Sequence, residues 1–261
     1  MSTNLRGERA ANGAVALPSA ARMRDYLLGD GHNLEVDRHL ADDLESVVPD
    51  IRRVCQLHRT FLRGAMLFLL RSGIRQFLDV GSSLPTVGNA RQIALRADAG
   101  CRVVQVDRSA FQLGEGAVVI RAGVGDVEDV FTHPATERLL DPREPLGLLL
   151  DDVLHFIPDS GEPAAILIDY RRRLAPGSYL VLTHVTADHR PEQTDAWVKV
   201  MARSQNQLHP RTRAEVLRLL AGFDLEGPGV ADLTEWITER RLDPVERSAA
   251  TAVYGAIGRK P

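Results

Sequence analysis

The chain has 261 residues, 44% of them hydrophobic and 5% aromatic, and its 32 basic and 35 acidic side chains give a formal net charge of −3. This length is enough to bury a full α/β core, and the nearly balanced charge argues against a nucleic-acid or membrane-surface partner. No run approaches the roughly 18 apolar residues of a membrane span and no signal-peptide core is present, so we expect a soluble cytoplasmic protein.

The N-terminal region is predicted to be a disordered tail followed by three helices. Residues 1–19 show no periodicity, whereas apolar residues recur at helical spacing over 20–28 and 37–48, with turn formers between them. A third, longer helix opens at Pro49-Asp50 and ends at Ser72-Gly73. We expect residues 20–73 to form a cap on an α/β core of residues 74–261, within a single domain.

The two cysteines, Cys55 and Cys101, lie in apolar surroundings and lack the spacing of a metal site. They are therefore predicted to be reduced, packed thiols, as is usual in a cytoplasmic protein. We expect no bound metal, and the sequence gives no support for or against an oligomer.

After Gly73, short apolar runs of β type alternate with helical segments, which is typical of a mostly parallel βαβ sheet with right-handed crossovers. Strands are predicted near 75–80, 102–106, 117–121, 146–151 and 178–183, and helices near 87–97, 162–174, 191–205 and 211–221. The runs 223–226 and 251–258 are predicted to close the sheet as a β pair.

The turn after the first strand is the first candidate for a ligand site. Gly81 opens a strand-to-helix loop, where backbone N–H groups point at whatever lies above the end of the strand, and a glycine permits a close approach there. The second glycine usual in such a loop is replaced by Ser83, so an ordinary glycine turn of an α/β protein stays open as an interpretation.

Two acids at the ends of the next strands favour a nucleoside ligand. Asp107 ends the second strand and can accept hydrogen bonds from both ribose hydroxyls, and Asp126 follows the third strand, where it can accept from the adenine amine. The Gly-x-Gly-x-x-Gly motif that cradles the phosphates of NAD is absent. An Asp at a strand end is also often only a cap.

Short blocks spread over nearly the whole chain match one known family in order; they are residues 21–29, 33, 36–38, 59–62, 74–81, 84–86, 88–89, 153–159, 175–182, 184, 186 and 254–261. With these blocks the chain resembles the bacterial S-adenosyl methyltransferases of methyltransferase family 19, formerly a domain of unknown function. The resemblance implies a Rossmann-like class I methyltransferase fold, with a mostly parallel seven-stranded sheet whose last strand is antiparallel, and S-adenosyl-L-methionine as cofactor.

The resemblance also implies a set of cofactor-binding residues. They lie in the loop after the first strand, after the second and third strands, and after the fourth strand: Asp79, Gly81, Ser82, Ser83, Leu84, Thr86, Asn89, Asp107, Arg108, Asp126, Val153, His155 and Phe156. The family usually has a glycine at position 83 and a longer segment than 108–116 after the ribose acid. Either the loop is trimmed and still binds, or the site is altered and no longer supports methyl transfer.

Candidate catalytic and substrate-binding residues follow from the position of polar side chains at the same sheet edge. His155 and His184, after the fourth and fifth strands, are candidate general bases, with His155 preferred; packed or capping histidines are the alternative. Asp152 is a candidate at the pocket mouth, and since neighbouring strand residues point to opposite faces, at most one of the pair 151–152 is expected to face the ligand.

Three cap residues, Tyr26, Asn33 and Arg59, are candidates for contacting the substrate or the methionine carboxylate, although they could equally tie the cap to the core. The sequence thus predicts a methyltransferase that acts on a small molecule such as a secondary metabolite. A protein of the same fold that binds the cofactor or its product without transfer, as a cyclase, isomerase or regulatory binder, stays open. A protein or nucleic-acid methyltransferase is disfavoured because no basic face is predicted.

Overall fold

The computed structural model describes residues 17–81, 88–108, 117–237 and 250–261. As predicted, three N-terminal helices precede an alternation of strands and helices. The helices are α1 (Ala20–Leu27), α2 (Glu35–Val47), α3 (Ile51–Arg71), α4 (Ala90–Ala97), α5 (Val127–Thr132), α6 (Pro134–Leu139), α7 (Pro163–Arg173), α8 (Pro191–Met201), α9 (Arg213–Leu219) and α10 (Leu233–Trp236). The strands are β1 (Gln76–Val80), β2 (Arg102–Val106), β3 (Val118–Ile120), β4 (Gly147–Leu150), β5 (Tyr179–Val185), β6 (Asp224–Leu225), β7 (Ala231–Asp232) and β8 (Val253–Arg259). Of the predicted tail, residues 1–16 lie outside the described part.

The strands form one sheet in the order β3-β2-β1-β4-β5-β8-β6, with β7 also paired to β8. Strands β1 to β5 pair in parallel, and β8 runs antiparallel to β5. The predicted mostly parallel sheet and its antiparallel closing pair are therefore confirmed. Because β2 and β4 lie on opposite sides of β1, the strand order reverses direction there, which opens a crevice at the carboxyl ends of these strands.

The described part has eight strands instead of the seven that the resemblance implied. The count is higher because two short strands, instead of one long one, pair with β8 on the same side. Strand β6 pairs with Arg259 and Gly258, and β7 pairs with Gly255 and Tyr254. Between β6 and β7 the chain contains Gly227-Pro228-Gly229, in which both glycines have positive φ. Proline lacks the N–H group that a ladder needs, so pairing stops and then resumes.

Apolar layers cover both faces of the sheet. Phe77 and Leu149 point into a cluster with α3, α4 and the cap helices, whereas Leu78 and Leu148 point into a second cluster with α5, α7 and α9. This alternation follows from the period of two along each strand. Cap and sheet share the first cluster, which supports the single domain predicted for residues 20–261; that organisation stays a prediction.

Two further sequence expectations can be compared with the structure. Cys55 and Cys101 are buried free thiols, as predicted, and burial raises the pKa of Cys55 to about 12. Among the described residues, no helix combines the length and the apolar character that crossing a membrane requires. The cytoplasmic location itself stays a prediction.

Candidate active site

A cavity of about 410 Å³, here called the outer cavity, lies at the carboxyl ends of β1, β2 and β4. Helix α1 closes one side of it. Such a volume is within the range of small-molecule and cofactor sites, about 300–1,000 Å³. The described residues that line it are Ser19, Ala20, Ala21, Arg22, Arg24, Leu28, Arg59, Leu62, Asp79, Gly81, Gly88, Asn89, Ala90, Val106, Asp107, Arg108, Ala122, Gly123, Val124, Asp151, Asp152, Val153, Phe156, Ile157, Gln205 and Asn206.

The structure brings most of the predicted cofactor residues together in this cavity. Those that line it are Asp79, Gly81, Asn89, Asp107, Arg108, Val153 and Phe156. Four predicted loop residues lie outside the described part of the chain: Ser82, Ser83, Leu84 and Thr86. The other two predicted cofactor residues are elsewhere: Asp126 does not line the cavity, and His155 lies behind it.

Hydrogen bonds and burial hold three residues at the rim of the outer cavity. Asp107 follows β2 directly, and its N–H donates to the carbonyl of Ile120 at 3.0 Å, which ties the ends of β2 and β3 together. Asp79 is buried near the end of β1. Asn89 caps α4 by accepting a hydrogen bond from the N–H of Gln92 at 2.8 Å, so it has a structural role besides lining the cavity.

Gly81 turns the chain out of β1 with a φ of 87°. A Cβ at this position would lie 2.9 Å from Cβ of Val153, so the space beside the glycine is filled by the segment after β4. The sequence predicts that this glycine gives a ligand close access to the backbone, and Gly81 lines the outer cavity. The glycine also allows close packing of two protein segments, the turn after β1 and the segment after β4.

The prediction that Asp126 reaches an adenine is wrong in this structure. Asp126 is exposed, and its Oδ2 accepts a hydrogen bond from the N–H of Gly123 at 2.7 Å, so the carboxylate closes a turn of its own segment. The main chain of Ala122 to Val124 lines the cavity instead. The guanidinium of Arg108 fills the space over Gly123, where a Cβ would lie 2.5 Å from Nε of that arginine.

Both Asp151 and Asp152 line the outer cavity, so the expectation that at most one would face it is wrong. That expectation assumed strand alternation, but β4 ends at Leu150 and the chain then turns, with a positive φ of 60° at Asp152. The N–H of Asp152 donates to Oγ1 of Thr183 on β5 at 2.8 Å, which holds the turn.

These two acids belong to an ionic cluster between the sheet and the cap. Nη1 of Arg24 on α1 lies 3.1 Å from Oδ2 of Asp152, and Nη2 of the same arginine contacts Nδ1 of His58 on α3. Nε2 of His58 lies 3.2 Å from Oδ1 of Asp151 and 2.9 Å from Oγ1 of Thr183. Burial, followed by the positive charge of Arg24, lowers the pKa of His58, which is therefore a neutral Nε2–H donor.

The sequence analysis did not identify Arg24 and His58. A signal was present for His58, which occupies a buried position in the apolar stripe of α3, where a polar side chain needs a partner. Arg24 is half-buried on α1 and gave no such signal. Only the fold shows that the partner is the acid pair after β4.

His155 lines a second, smaller cavity of about 60 Å³, here called the inner cavity, which adjoins the outer one and shares Ala20, Arg24, Asp152 and Phe156 with it. The histidine is 1% exposed, and its Nε2 lies 3.2 Å from Oδ1 of Asp152. Burial alone would raise the pKa of Asp152, but the hydrogen bond from His155 and the charge of Arg24 outweigh it and hold that pKa well below its usual range.

Because the carboxylate of Asp152 is ionised, Nε2 of His155 carries the proton and donates to it. The other ring nitrogen, Nδ1, is buried and has no hydrogen-bond partner in the described part of the chain. His155 is therefore an imidazole that is oriented by a carboxylate.

His184, the other predicted base, lies in a different environment. It is fully buried, and its Nδ1–H donates to the carbonyl of Val185 at 2.8 Å while Nε2 accepts from Nη1 of Arg211 at 3.0 Å. Burial, with a smaller effect of His155, lowers the pKa of His184 to about 3. Both ring nitrogens are occupied and the residue lines neither cavity, so the geometry argues against His184 as a base.

Of the three predicted substrate residues of the cap, one lines the outer cavity and two do not. Arg59 lines the outer cavity beside Gly88, held by a contact of 2.9 Å from its Nη2 to Oδ2 of Asp30. Tyr26 and Asn33 do not line it. The hydroxyl of Tyr26 donates to Asp42 at 3.0 Å, and Nδ2 of Asn33 donates to Asp25 at 2.9 Å, so both hold the cap helices together.

Comparison with known proteins identifies the family. The model of the S-adenosyl methyltransferase family matches residues 11–261. The chain belongs to this family. It is a methyltransferase, and S-adenosylmethionine is its cofactor. No curated protein matches the sequence.

Solved structures agree with this assignment. A proposed methyltransferase from Thermobifida fusca YX is 31% identical, with a TM-score of 0.84 over 94% of this chain and 95% of that one. A DUF574 family protein from Streptomyces avermitilis MA-4680 is 25% identical, with a TM-score of 0.86 over 94% of this chain and 98% of that one. An O-methyltransferase family protein from Burkholderia thailandensis, 13% identical with a TM-score of 0.51 over 87% of this chain and 60% of that one, shows the fold alone.

The residues of the outer cavity fit S-adenosylmethionine. Asp107 lines the cavity at the end of β2, where a carboxylate would accept hydrogen bonds from ribose hydroxyls, and Ala122 to Val124 with Arg108 line it at the adjoining strand end. Arg59 offers a cation for a carboxylate at the side of Gly88. When bound, the cofactor supplies an electrophilic methyl group.

Proposed function

We propose that this methyltransferase acts on a small molecule with an ionisable O–H or N–H group, and that His155 removes the proton. The observation that carries the proposal is the pair of Asp152 with His155, where Nε2–H is held by an ionised carboxylate and Nδ1 has no partner. The pair lies where the outer and inner cavities meet. An imidazole oriented in this way is suited to general base catalysis.

Methyl transfer is an in-line displacement, so the protein has to position the acceptor and take up one proton. Bound S-adenosylmethionine would supply the methyl group, and the acceptor oxygen or nitrogen would give up its proton as it is methylated. The acceptor proton passes to Nδ1 of His155. The imidazolium that forms is stabilised by Asp152, which stays ionised because Arg24 and His155 hold its pKa low.

The shape of the site supports a small acceptor over a macromolecule. Residues of α1 line one side of the outer cavity, and the inner cavity is lined by apolar side chains of α1, α2, α3 and α8. A protein or nucleic-acid strand would need an open groove and, for nucleic acid, a basic face. The role in secondary metabolism stays a prediction.

The cofactor assignment of Asp107 is tested by calorimetry with S-adenosylmethionine. We expect the substitution Asp107→Ala to weaken binding by about tenfold to a hundredfold, because hydrogen bonds to a charged group are lost. Asp129→Ala is the matched control, since it removes an exposed acid of α5 that does not line the cavity, and it should bind like the wild type. Equal affinity of wild type and Asp107→Ala would contradict the ribose assignment.

The role of His155 is tested with His155→Gln. The amide of glutamine can still donate to Asp152, but it has no basic nitrogen, so cofactor affinity should stay within about twofold. The rate of S-adenosylhomocysteine formation with an accepted substrate should fall by about a hundredfold or more. Unchanged turnover in this variant would exclude His155 as the base.

A further inference from the structure

The inner cavity has a composition that differs sharply from that of the outer one. Apart from His58, His155, Arg24 and Asp152, its lining is made almost entirely of apolar side chains and one neutral thiol: Ala20, Met23, Leu27, Leu44, Ile51, Val54, Cys55, Phe156, Trp197, Met201, Leu208 and Val253. The outer cavity, in contrast, is lined by four acids and four arginines. Two adjoining cavities of different polarity suit two ligands of different polarity.

The polar groups of the inner cavity all lie at its junction with the outer one. Arg24 and Asp152 line both cavities, and His155 contacts Asp152 from the inner side. An apolar molecule in the inner cavity would therefore place a terminal heteroatom at this junction, with its carbon skeleton among the apolar side chains. That arrangement separates the reacting atom from the part of the molecule that gives affinity.

The charge at the junction of the two cavities restricts which ligands can bind in the inner cavity. Arg24 contributes one positive charge to the ionic cluster, whereas Asp151 and Asp152 contribute two negative ones, and His58 is neutral. The junction is thus net negative and disfavours an anion. A cation would lose its hydration among the apolar side chains of the inner cavity, and Asp152, the one carboxylate among the described residues that line this cavity, is already held by Arg24 and His155. An uncharged molecule avoids both costs.

The buried Nδ1 of His155 indicates what the molecule carries. A buried acceptor without a hydrogen-bond partner among the described residues is unfavourable, and a ligand that donates an O–H or N–H to it removes that cost. We propose that the inner cavity is the acceptor subsite and takes the apolar end of an uncharged, phenol-like acceptor whose O–H or N–H donates to His155. This inference rests on the proposed function and specifies its substrate class.

The cavity volume of about 60 Å³ is smaller than a whole aromatic ring needs, about 150 Å³ in an engineered example. Met23 and Met201 line it from α1 and α8. Methionine side chains are unbranched and repack readily, so they supply the expansion on binding. The acceptor site forms between α1 and α8 as the ligand enters.

The experiment uses fluorine NMR on the full chain saturated with S-adenosylhomocysteine, with 4-fluorophenol, 4-fluoroanisole, 4-fluorobenzoate and 4-fluorobenzylammonium as probes. Saturation is first established by calorimetry. We expect 4-fluorophenol to bind about fivefold to tenfold more tightly than 4-fluoroanisole, which lacks the O–H donor, and the two charged probes to bind more weakly than both. Tighter binding of either charged probe would overturn the uncharged class.

Two variants locate the binding. Val54→Phe fills the inner cavity from α3 without touching the outer one, so it should reduce 4-fluorophenol affinity at least tenfold and leave S-adenosylhomocysteine affinity unchanged. Leu57→Phe, buried on the same helix but lining neither cavity, is the control and should bind both ligands like the wild type. His155→Gln should abolish the preference for the phenol over the anisole.

The outcomes separate the two levels of inference. Failure of S-adenosylhomocysteine to bind the wild type would overturn the proposed function and the acceptor subsite with it. Normal S-adenosylhomocysteine binding with 4-fluorophenol affinity unaffected by Val54→Phe would overturn the acceptor subsite alone.

Discussion

Arg24 connects the first helix of the cap to the acid pair beyond β4, so one side chain determines both the stability of the cap and the charge of the site. Its partner Asp152 has 30% of its side chain exposed to the cavity. The ion pair is therefore partly screened, and its contribution is smaller than that of a fully buried pair. His58 adds to the cost of losing the arginine, because its Nδ1 would then be left without a donor.

We expect Arg24→Gln to lower the free energy of unfolding by about 1–3 kcal/mol, since it removes a countercharge from Asp152 and the charge-assisted bond to His58. Urea denaturation measures this. Arg172→Gln removes an exposed pair with Asp169 and should produce no measurable change. The double variant Arg24→Gln with Asp152→Asn should recover part of the loss. Additive effects of the two substitutions would contradict a direct interaction.

At the level of single residues, the sequence predicted those cavity-lining residues whose position is determined by the end of a strand. Asp79, Asp107 and Val153 line the cavity because they follow or end parallel strands, whose carboxyl ends meet at one edge. The Asp126 prediction failed because a carboxylate after a strand can equally bind its own backbone, and sequence does not distinguish the two. The contacts of Arg24 and His58 with Asp152 and Asp151 depend on how the cap helices pack on the sheet, and no local sequence pattern predicts that packing.

At the level of elements, the turn after β1 and the turn after β4 are packed into each other. Gly81 has a φ of 87° and Val153 fills the position of its absent side chain. The cofactor loop is thereby held against the segment that leads to His155. A change in one turn must be transmitted to the other, because no free space separates them.

Gly81→Ala should therefore be more costly than an ordinary substitution at a left-handed position. We expect a loss of about 2–4 kcal/mol in unfolding free energy, from backbone strain and from overlap with Val153, and weaker binding of S-adenosylmethionine. Gly73→Ala, with a φ of 89° and no atom within 4 Å of the added carbon, isolates the strain and should cost about 1 kcal/mol. Equal losses for the two would show that the overlap with Val153 relaxes freely.

The longer elements were predicted within a few residues, because their apolar period is clear over a full strand or several helical turns. Strand β2 was predicted at its observed bounds, and α7 within one residue at each end. Helices α5 and α6 were missed, since six residues are too few to display a helical period. Strand β6 lies within the run 223–226 that was predicted to close the sheet, whereas β7 was missed, since this dipeptide is a strand only because β8 lies beside it.

At the level of the whole molecule, buried neutral histidines make the folded state sensitive to mild acid. The pKa of His184 in the folded protein is lowered to about 3, chiefly by burial, and that of His58 is lowered for the same reason. A histidine in an unfolded chain titrates near 6.5. The unfolded state therefore binds more protons between these values, and stability present at neutral pH is lost as the pH falls below about 6.5.

We expect the unfolding free energy to decrease between pH 6 and 5, with His184 contributing about 1 kcal/mol per pH unit to that slope. Urea denaturation at several pH values measures it. His184→Gln should lower the absolute stability but reduce the slope, whereas His39→Gln, which alters an exposed histidine, should leave the slope unchanged. An unaltered slope in His184→Gln would assign the acid sensitivity to other groups.

The interrupted partner of β8 also bears on how the enzyme behaves among its own copies. A strand of another chain can pair with the edge of a sheet where that edge has a continuous row of unpaired backbone groups. In the part of the chain that the structure describes, one edge is the three-residue β3 and the other is formed by the dipeptides β6 and β7, separated by a proline between two glycines. Neither edge offers a template long enough for a stable intermolecular ladder. The break between β6 and β7, the two short partners of β8, thus protects the enzyme against aggregation by strand addition.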